Sequence, residues 1–410
     1  MTPQALFYIL IGIIILEFIW NSYLDFLNSK HYKDPIPKLL EGIFDEEEYL
    51  KSQDYKRTNY QFSKWSSLFS IIVLLVFFFL DGFAWVDSWV RSYVDNSILI
   101  SMLFIGILLI GNDVISTPFS YYHTFVIEEK FGFNKSSKTT YWLDKVKGLL
   151  LMVLIGGGLL FAILWFYEKT GQNFWLYTWG LVTVFSVFIN MFYSTLIVPL
   201  FNKQSPLEAG DLKEAIHSFT TKVGFKLDTI FVIDGSKRST KANAYFAGFG
   251  PKKRIVLYDT LINDLETDEI VGVLAHEIGH YQKKHTIYNL FLSIITTGIT
   301  LFILSLFIDS PLLAEALGVS IPSFHIGIIA FGILYSPISE ITGLLMNLLS
   351  RKFEYQADTY AKTNYDGKPL ITALKKLSKN SLSNLTPHPF YVYMHYSHPS
   401  LAQRVAALMQ

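Results

Sequence analysis

Of the 410 residues, 51% are hydrophobic, 16% aromatic and only 17% charged, and mean hydropathy is +0.33. That balance belongs to a multi-pass membrane protein and excludes a string of soluble domains. A formal net charge of zero leaves no global field to attract nucleic acid, and the absence of cysteine excludes disulfides and thiolate metal sites.

Seven apolar stretches of about the length a bilayer requires are predicted as spans, at 6–20, 67–85, 98–118, 148–167, 174–200, 287–308 and 325–349. No Lys or Arg precedes the first and no small-residue cleavage site follows it, so it reads as a retained span rather than a signal peptide. The acidic run Asp45 to Glu48 reads as a solvated face. Gly156, Gly157 and Gly158 predict close helix packing in the fourth span. Glu17, Asp81, Asn112, Asp113, Asn190, Glu340 and Asn347 lie within spans, where they are costly against lipid. Interfacial placement or interhelical hydrogen bonding accounts for them as readily as a water-filled interior does.

Loop charges orient the chain. The successive loops and the C-terminal tail hold 7, 1, 5, 1, 12, 0 and 8 Lys and Arg, so alternate segments share 32 against 2. By the positive-inside rule the N-terminus lies outside and the C-terminus in the cytosol, with residues 201–285 on the cytosolic side. The chain thus divides into five spans (1–200), a cytosolic-side insert (201–285), two further spans (286–350) and a C-terminal helical segment (351–410).

The insert reads as a small α/β unit: a helix over 212–223, strands at 229–233, 243–248 and 254–258, and a turn at 250–253. An exposed edge of such a sheet can bind substrate as an added strand. The next helix opens on Thr267 as cap, with Asp268 and Glu269 in its first turn, and Val271, Leu274, Ala275 and Ile278 form an apolar face. It carries His276, Glu277 and His280 in the order H-E-x-x-H. Positions i and i+4 share a helix face, so both imidazoles can address one ion. Zinc suits neutral imidazole and keeps a coordination position open for water in catalytic sites. Glu277 is then placed as general base for hydrolysis.

Without cysteine the third ligand is sought among carboxylates. Glu354 and Asp358 again stand at i and i+4. Alone, that pair is better read as a solvated face, but the motif upstream makes Glu354 a candidate ligand and Asp358 a candidate orienter of a ligand imidazole. Near the C-terminus, His395 or His398 could donate to a developing oxyanion, and Arg404 could fix a carboxylate; spacing does not choose between the two histidines. His285, just past the motif, reads as a histidine at the entry to a span, although a role in catalysis stays open for it. His31, His123, His217, His325 and His388 show no partner and read as surface or packing residues.

These motifs, in this order over nearly the whole chain, closely resemble the type I CAAX prenyl endopeptidases, integral-membrane zinc metalloproteases with glutamate as third ligand. The resemblance runs from Phe125-Val-Ile-Glu-Glu-Lys-Phe-Gly-Phe-Asn134 and Pro199-Leu-Phe-Asn202 through Asn243-Ala-Tyr-Phe246 and the H-E-x-x-H helix. It ends in Phe353-Glu-Tyr-Gln-Ala-Asp358, Tyr396-Ser-His-Pro399 and Arg404. It implies a mainly α-helical membrane protein with seven transmembrane helices around an intramembrane chamber. It also implies removal of the last three residues of a prenylated CAAX end. Carried over, it makes His276, His280 and Glu354 the ligands of one zinc ion and Glu277 the base. Asn243 and Ala244 would hold the substrate backbone, and His398, supported by Arg404, would stabilise the oxyanion. Residues 239–242 read Ser-Thr-Lys-Ala where eukaryotic members typically have Ser-Ser-His-Ser, and no retrieval signal stands at Met409-Gln410. The sequence therefore looks like a bacterial member, set in the inner membrane; a eukaryotic member would be set in the endoplasmic reticulum membrane. Two other functions compete. A broad quality-control protease of membrane proteins would use the same site. A transporter or channel with a structural zinc would instead fill the open metal position.

Overall fold

The computed structural model describes residues 1–226, 229–248 and 253–410, so the predicted turn lies outside the described residues except for Lys253. The membrane part begins with α1 (Pro3–Ser29), α2 (Glu46–Phe79), a short α3 (Gly82–Arg91) and α4 (Ser97–Tyr122). Next come α5 (Lys138–Leu151), α6 (Gly157–Thr170), α7 (Phe174–Leu196) and α8 (Val198–Phe201). The insert holds β1 (Gln204–Pro206), α9 (Asp211–Lys222), β2 (Ile230–Ile233), β3 (Ala244–Ala247), β4 (Arg254–Tyr258), α10 (Asp259–Asp264) and α11 (Thr267–Gln282). The chain ends with α12 (His285–Phe307), α13 (Pro311–Ala316), α14 (Phe324–Asn364), α15 (Gly367–Asn380), α16 (Pro389–His395) and α17 (Leu401–Met409).

Among the described residues, 6 helical runs are long and apolar enough to cross a membrane. One of them, Lys138–Phe201, folds back at Gly171 (φ 52°) and packs α6 against α7, so it supplies two of the seven predicted spans.

Two local expectations are corrected and a third is extended. The second span stops at Phe79, and Asp81 sits in a left-handed turn (φ 51°) before α3 rather than inside a helix. A Cβ on Gly157 or Gly158 would meet nothing within 4 Å, so the glycines do not bring helices together. They flank a π-helical segment, Met152–Gly156, that interrupts the helix instead. The acidic run is solvated as expected and also starts a helix: Asp45 accepts from Glu48 N at 2.8 Å, and Glu48 accepts from Asp45 N at 3.2 Å.

The polar residues in the spans divide. Asp113 pairs with Lys145 at 2.7 Å across α4 and α5, Asn347 donates to the Met394 carbonyl at 2.9 Å, and Glu17 accepts from Ser336 between α1 and α14. Asn112, Asn190 and Glu340 are exposed. Pairing accounts for the first three, and lipid cannot solvate the exposed three, which favours faces turned toward an intramembrane chamber rather than toward the bilayer. Away from the motif helix, His325 is corrected from an unpartnered residue to a buried junction. Its ring meets Asp87 at 2.8 Å and Ser101 at 2.9 Å, and Arg91 holds the other oxygen of Asp87. His31 and His123 likewise have partners, Asp34 at 2.6 Å and Asn59 at 3.0 Å.

The insert is a four-stranded sheet in the order β1-β2-β4-β3. β2 and β4 run parallel, with Ile230 opposite Ile255, and β3 pairs antiparallel with Ala244 opposite Leu257. Among the described residues β3 is therefore an edge strand with one side unpaired. Ile255 and Leu257 of β4, Ile216 and Phe219 of α9, and Leu274 and Ile278 of α11 share one core. Each such side chain contributes about 1.5–3 kcal/mol on burial, so this core holds α11 firmly against the sheet. Glu266, not Thr267, caps α11, and Glu269 folds back to the Glu266 N–H at 2.8 Å.

Two glycines set how α11 meets its neighbours. A Cβ on Gly279 would lie 3.0 Å from Ala357 Cα of α14, and one on Gly272 would lie 3.0 Å from Leu370 N of α15. Glycine at 279 thus lets the helix bearing the two histidines approach the helix bearing Glu354.

Candidate active site

α11 presents His276 and His280 on one face, with Nε2 atoms 3.1 Å apart. α14 is a single rod that carries the last span and continues past it, and its lower part points Glu354 between the two rings. Glu354 Oε2 lies 3.5 Å from His276 Nε2, and Oε1 lies 3.3 Å from His280 Nε2. Ligand atoms of these three residues all fall within 4.8 Å of one another.

The donor set fits a divalent metal ion. Glu354 Oε2 is buried without a hydrogen-bond partner, and an unmet buried acceptor costs about 1–3 kcal/mol. A cation among two imidazole nitrogens and this carboxylate removes that cost.

Asp358, one turn beyond Glu354, accepts from His276 Nδ1 at 2.8 Å. In the neutral ring that contact keeps the proton on Nδ1 and leaves Nε2 bare toward the centre. Arg404 of α17 forks onto Asp358, at 2.9 Å through Nε and 2.6 Å through Nη2, and stands 3.6 Å from Glu354 Oε2. Its guanidinium is nearly buried and fixes a carboxylate, as the sequence suggested; Nη2 also lies 3.3 Å from His276 Nδ1, whereas support for His398 was what the resemblance implied. Burial works against a charge on His276, but the contacts with Asp358 and Glu354 outweigh it and push the ring up to about 9.

Glu277 is half-buried on the same helix, and among the described residues no hydrogen bond or ion pair occupies its carboxylate. His398 is exposed, and its Nε2 lies 3.3 Å from Glu354 Oε1 while Nδ1 meets Ser397 Oγ at 2.9 Å. His395 instead packs on the Tyr391 ring, 4.7 Å between centroids. Both line a cavity of about 580 Å³ that Arg404 and Ala242 also border. Geometry thus brings His398 to the cluster and leaves His395 behind it.

Asn243 stands at the start of the edge strand, where its side chain accepts from Ala244 N at 2.8 Å and its carbonyl accepts from Tyr258 N at 3.1 Å. The loop before it is braced by Lys241, whose Nζ meets Glu128 at 2.7 Å and lies 4.4 Å from the Phe133 ring centre. Part of the stretch that departs from eukaryotic members therefore has a structural task, tying the insert to the segment after α4.

His285, which the sequence ranked as a weaker candidate at the entry to a span, stands at the site. Its Nδ1 lies 3.0 Å from His280 Nδ1. Being one turn past the motif was the available signal, and Lys284 explains why it misled: a left-handed backbone there (φ 60°) ends α11 and starts α12, turning His285 back onto the helix before it.

Comparison with known proteins agrees with this architecture over the full length. Residues 25–203 match the family described as CAAX prenyl protease N-terminal, five membrane helices, and residues 206–410 match Peptidase family M48. CAAX prenyl protease 1 of Saccharomyces cerevisiae is 37% identical over 98% of this chain and 94% of its own. The Homo sapiens CAAX prenyl protease 1 homolog is 31% identical over 95% and 92%. The crystal structure of S. mikatae Ste24p superposes with a TM-score of 0.94 at 36% identity, covering 99% of both chains. These relatives are eukaryotic, so the bacterial assignment suggested by residues 239–242 finds no support in them.

Proposed function

Because this chain belongs to peptidase family M48, with CAAX prenyl proteases as relatives over its whole length, we propose that it releases the C-terminal tripeptide of prenylated CAAX ends as a zinc endopeptidase. Its class is that of a membrane metalloendopeptidase; zinc as the metal and prenylated ends as the substrate are the proposed parts. The observation that carries the reading is the convergence of His276, His280 and Glu354 around the orphaned Glu354 oxygen, beside an unengaged Glu277.

His276, His280 and Glu354 would hold the ion, which when bound supplies a Lewis acid that polarises a carbonyl and acidifies water. Glu277 takes the proton from the attacking water and returns it to the leaving amine as the C–N bond breaks. His398 donates to the oxygen that becomes negative. Asn243 and Ala244 hold the substrate backbone along the free edge of β3. Asp358 keeps the His276 proton on Nδ1, and Arg404 keeps Asp358 in place.

The charge distribution supports placing the N-terminus outside and the site on the cytosolic side. The cysteine-free chain makes this directly testable. A single cysteine replacing the exposed Ala209, in the turn between β1 and α9, is expected to stay protected from an impermeant thiol reagent in intact cells and to react after permeabilisation. Labelling of intact cells would reverse the orientation.

Zinc uptake must displace the second proton of the charged His276 ring, the one on Nε2, while Nδ1 keeps its own. In the metal-free protein that proton stabilises the fold fully below the ordinary histidine value, and its contribution fades as pH rises through about 9. The sign for zinc is opposite: affinity rises with pH, by about tenfold per unit for one displaced proton. Chelator competition between pH 6.5 and 8.5 checks this, and a flat profile would mean that the ring is already neutral.

The reading itself is tested by cleavage of a farnesylated CAAX peptide beside its unprenylated twin. Zinc-dependent cleavage of the prenylated peptide alone is expected. Equal cleavage of both would keep the protease and move its substrates toward membrane peptides in general.

A further inference from the structure

The two ligand histidines have different orienting groups. His276 has the Asp358 carboxylate. Among the described residues His280 has only His285, whose Nδ1 stands 3.0 Å from its own Nδ1. Two imidazoles facing each other through Nδ1 can share one proton in either direction, and only one direction suits a metal. For Nε2 of His280 to carry a lone pair toward His276 and Glu354, its proton must be on Nδ1 and His285 Nδ1 must accept it.

The surroundings of His285 select that direction. Its Nε2 meets Gln356 Oε1 at 2.8 Å, a carbonyl oxygen that can only accept. The His285 proton is thereby held on Nε2, and Nδ1 is left bare. The ring is 2% exposed and stacks on Phe353, with centroids 4.1 Å apart and planes 10° from parallel. Gln356 and Phe353 belong to α14, which also supplies Glu354 and Asp358. One helix thus furnishes the third ligand and fixes the protons of both ligand histidines, through Asp358 for one and through Gln356 and His285 for the other.

We infer that His285, locked by Gln356, is a positioning residue that sets the tautomer and ring plane of His280 and thereby the affinity of the metal site. The inference rests on the reading of His276, His280 and Glu354 as zinc ligands. Zinc affinity of the full-length purified protein, measured by competition with a chromophoric chelator, tests it without reference to turnover.

His285→Phe keeps an aromatic ring on Phe353 but removes the acceptor, and zinc is expected to bind about 10- to 100-fold more weakly, as for other lost orienting partners. His285→Asn places a carbonyl oxygen close to where Nδ1 stands and is expected to restore most of that loss. Cobalt bound to the Phe variant should show a shifted visible spectrum, and the Asn variant one close to wild type. Zinc affinity in His285→Phe equal to wild type would overturn the inference. So would an Asn variant as weak as the Phe variant, which would reduce the role of His285 to packing. His280→Ala separates the two levels: if it binds zinc as tightly as wild type, the ligand reading itself fails.

Discussion

Glu277→Gln is expected to retain zinc at one ion per chain and to lose about 10²- to 10⁴-fold in kcat, the usual worth of a positioned general base. KM should move little, because the lost interaction belongs to proton transfer rather than to substrate binding. The structure supplies the reason for this split. Glu277 lies on α11 between the two histidines, yet the described hydrogen bonds and ion pairs tie up Glu354, Asp358 and Arg404 and leave Glu277 free. A carboxylate without a structural partner can change protonation without disturbing its neighbours, and its amide isostere should leave the ligand geometry as it is. Metal analysis and steady-state kinetics on the farnesylated peptide check the two halves separately. Loss of zinc along with activity would make Glu277 a ligand and remove it as base.

Much of this site was legible because helical periodicity is local. The i, i+4 spacing of His276 with His280, and of Glu354 with Asp358, follows from backbone geometry and needs no tertiary information. The spans and three of the four strands of the insert were readable for the same reason, from runs and alternation of apolar residues, whereas the short polar β1 was not. What the sequence could not supply was the join between elements. That α14 presses on α11 depends on Gly279 facing Ala357, a glycine whose only sequence signal is its place inside the motif. His285 was misjudged because the helix break at Lys284 has neither Gly nor Pro to announce it. The junction of Asp87, Ser101 and His325 draws on three separate helices and leaves no spacing to read. The glycine run at 156–158 misled in the other direction, since small residues permit close packing without requiring it, and here no neighbour approaches Gly157 or Gly158. His398 could be preferred to His395 only through resemblance; in space the choice rests on one distance, 3.3 Å to Glu354.

Glu354→Gln should behave in the opposite way to the same change at 277. Glu354 is a candidate ligand, its side chain is 5% exposed, and it faces His276, His280, His398 and Arg404 together. The amide removes the negative charge that those groups share. Zinc affinity is expected to fall by more than about 100-fold, beyond the loss caused by removing an orienting partner, and activity should fall with it. Stability of the metal-free protein should fall less. Breaking a buried ion pair costs about 3–5 kcal/mol when the surviving charge has no other partner. Here Arg404 keeps both oxygens of Asp358, and His276 can release its proton, so the loss should stay below that range. Chelator competition and thermal unfolding, each with and without zinc, resolve the two contributions. The wild type should gain stability from zinc and Glu354→Gln should not, whereas Glu277→Gln should gain as much as wild type. One neutralising change, made at two carboxylates beside the same ion, therefore separates holding the metal from moving the proton. Equal zinc stabilisation of all three proteins would exclude Glu354 as a ligand.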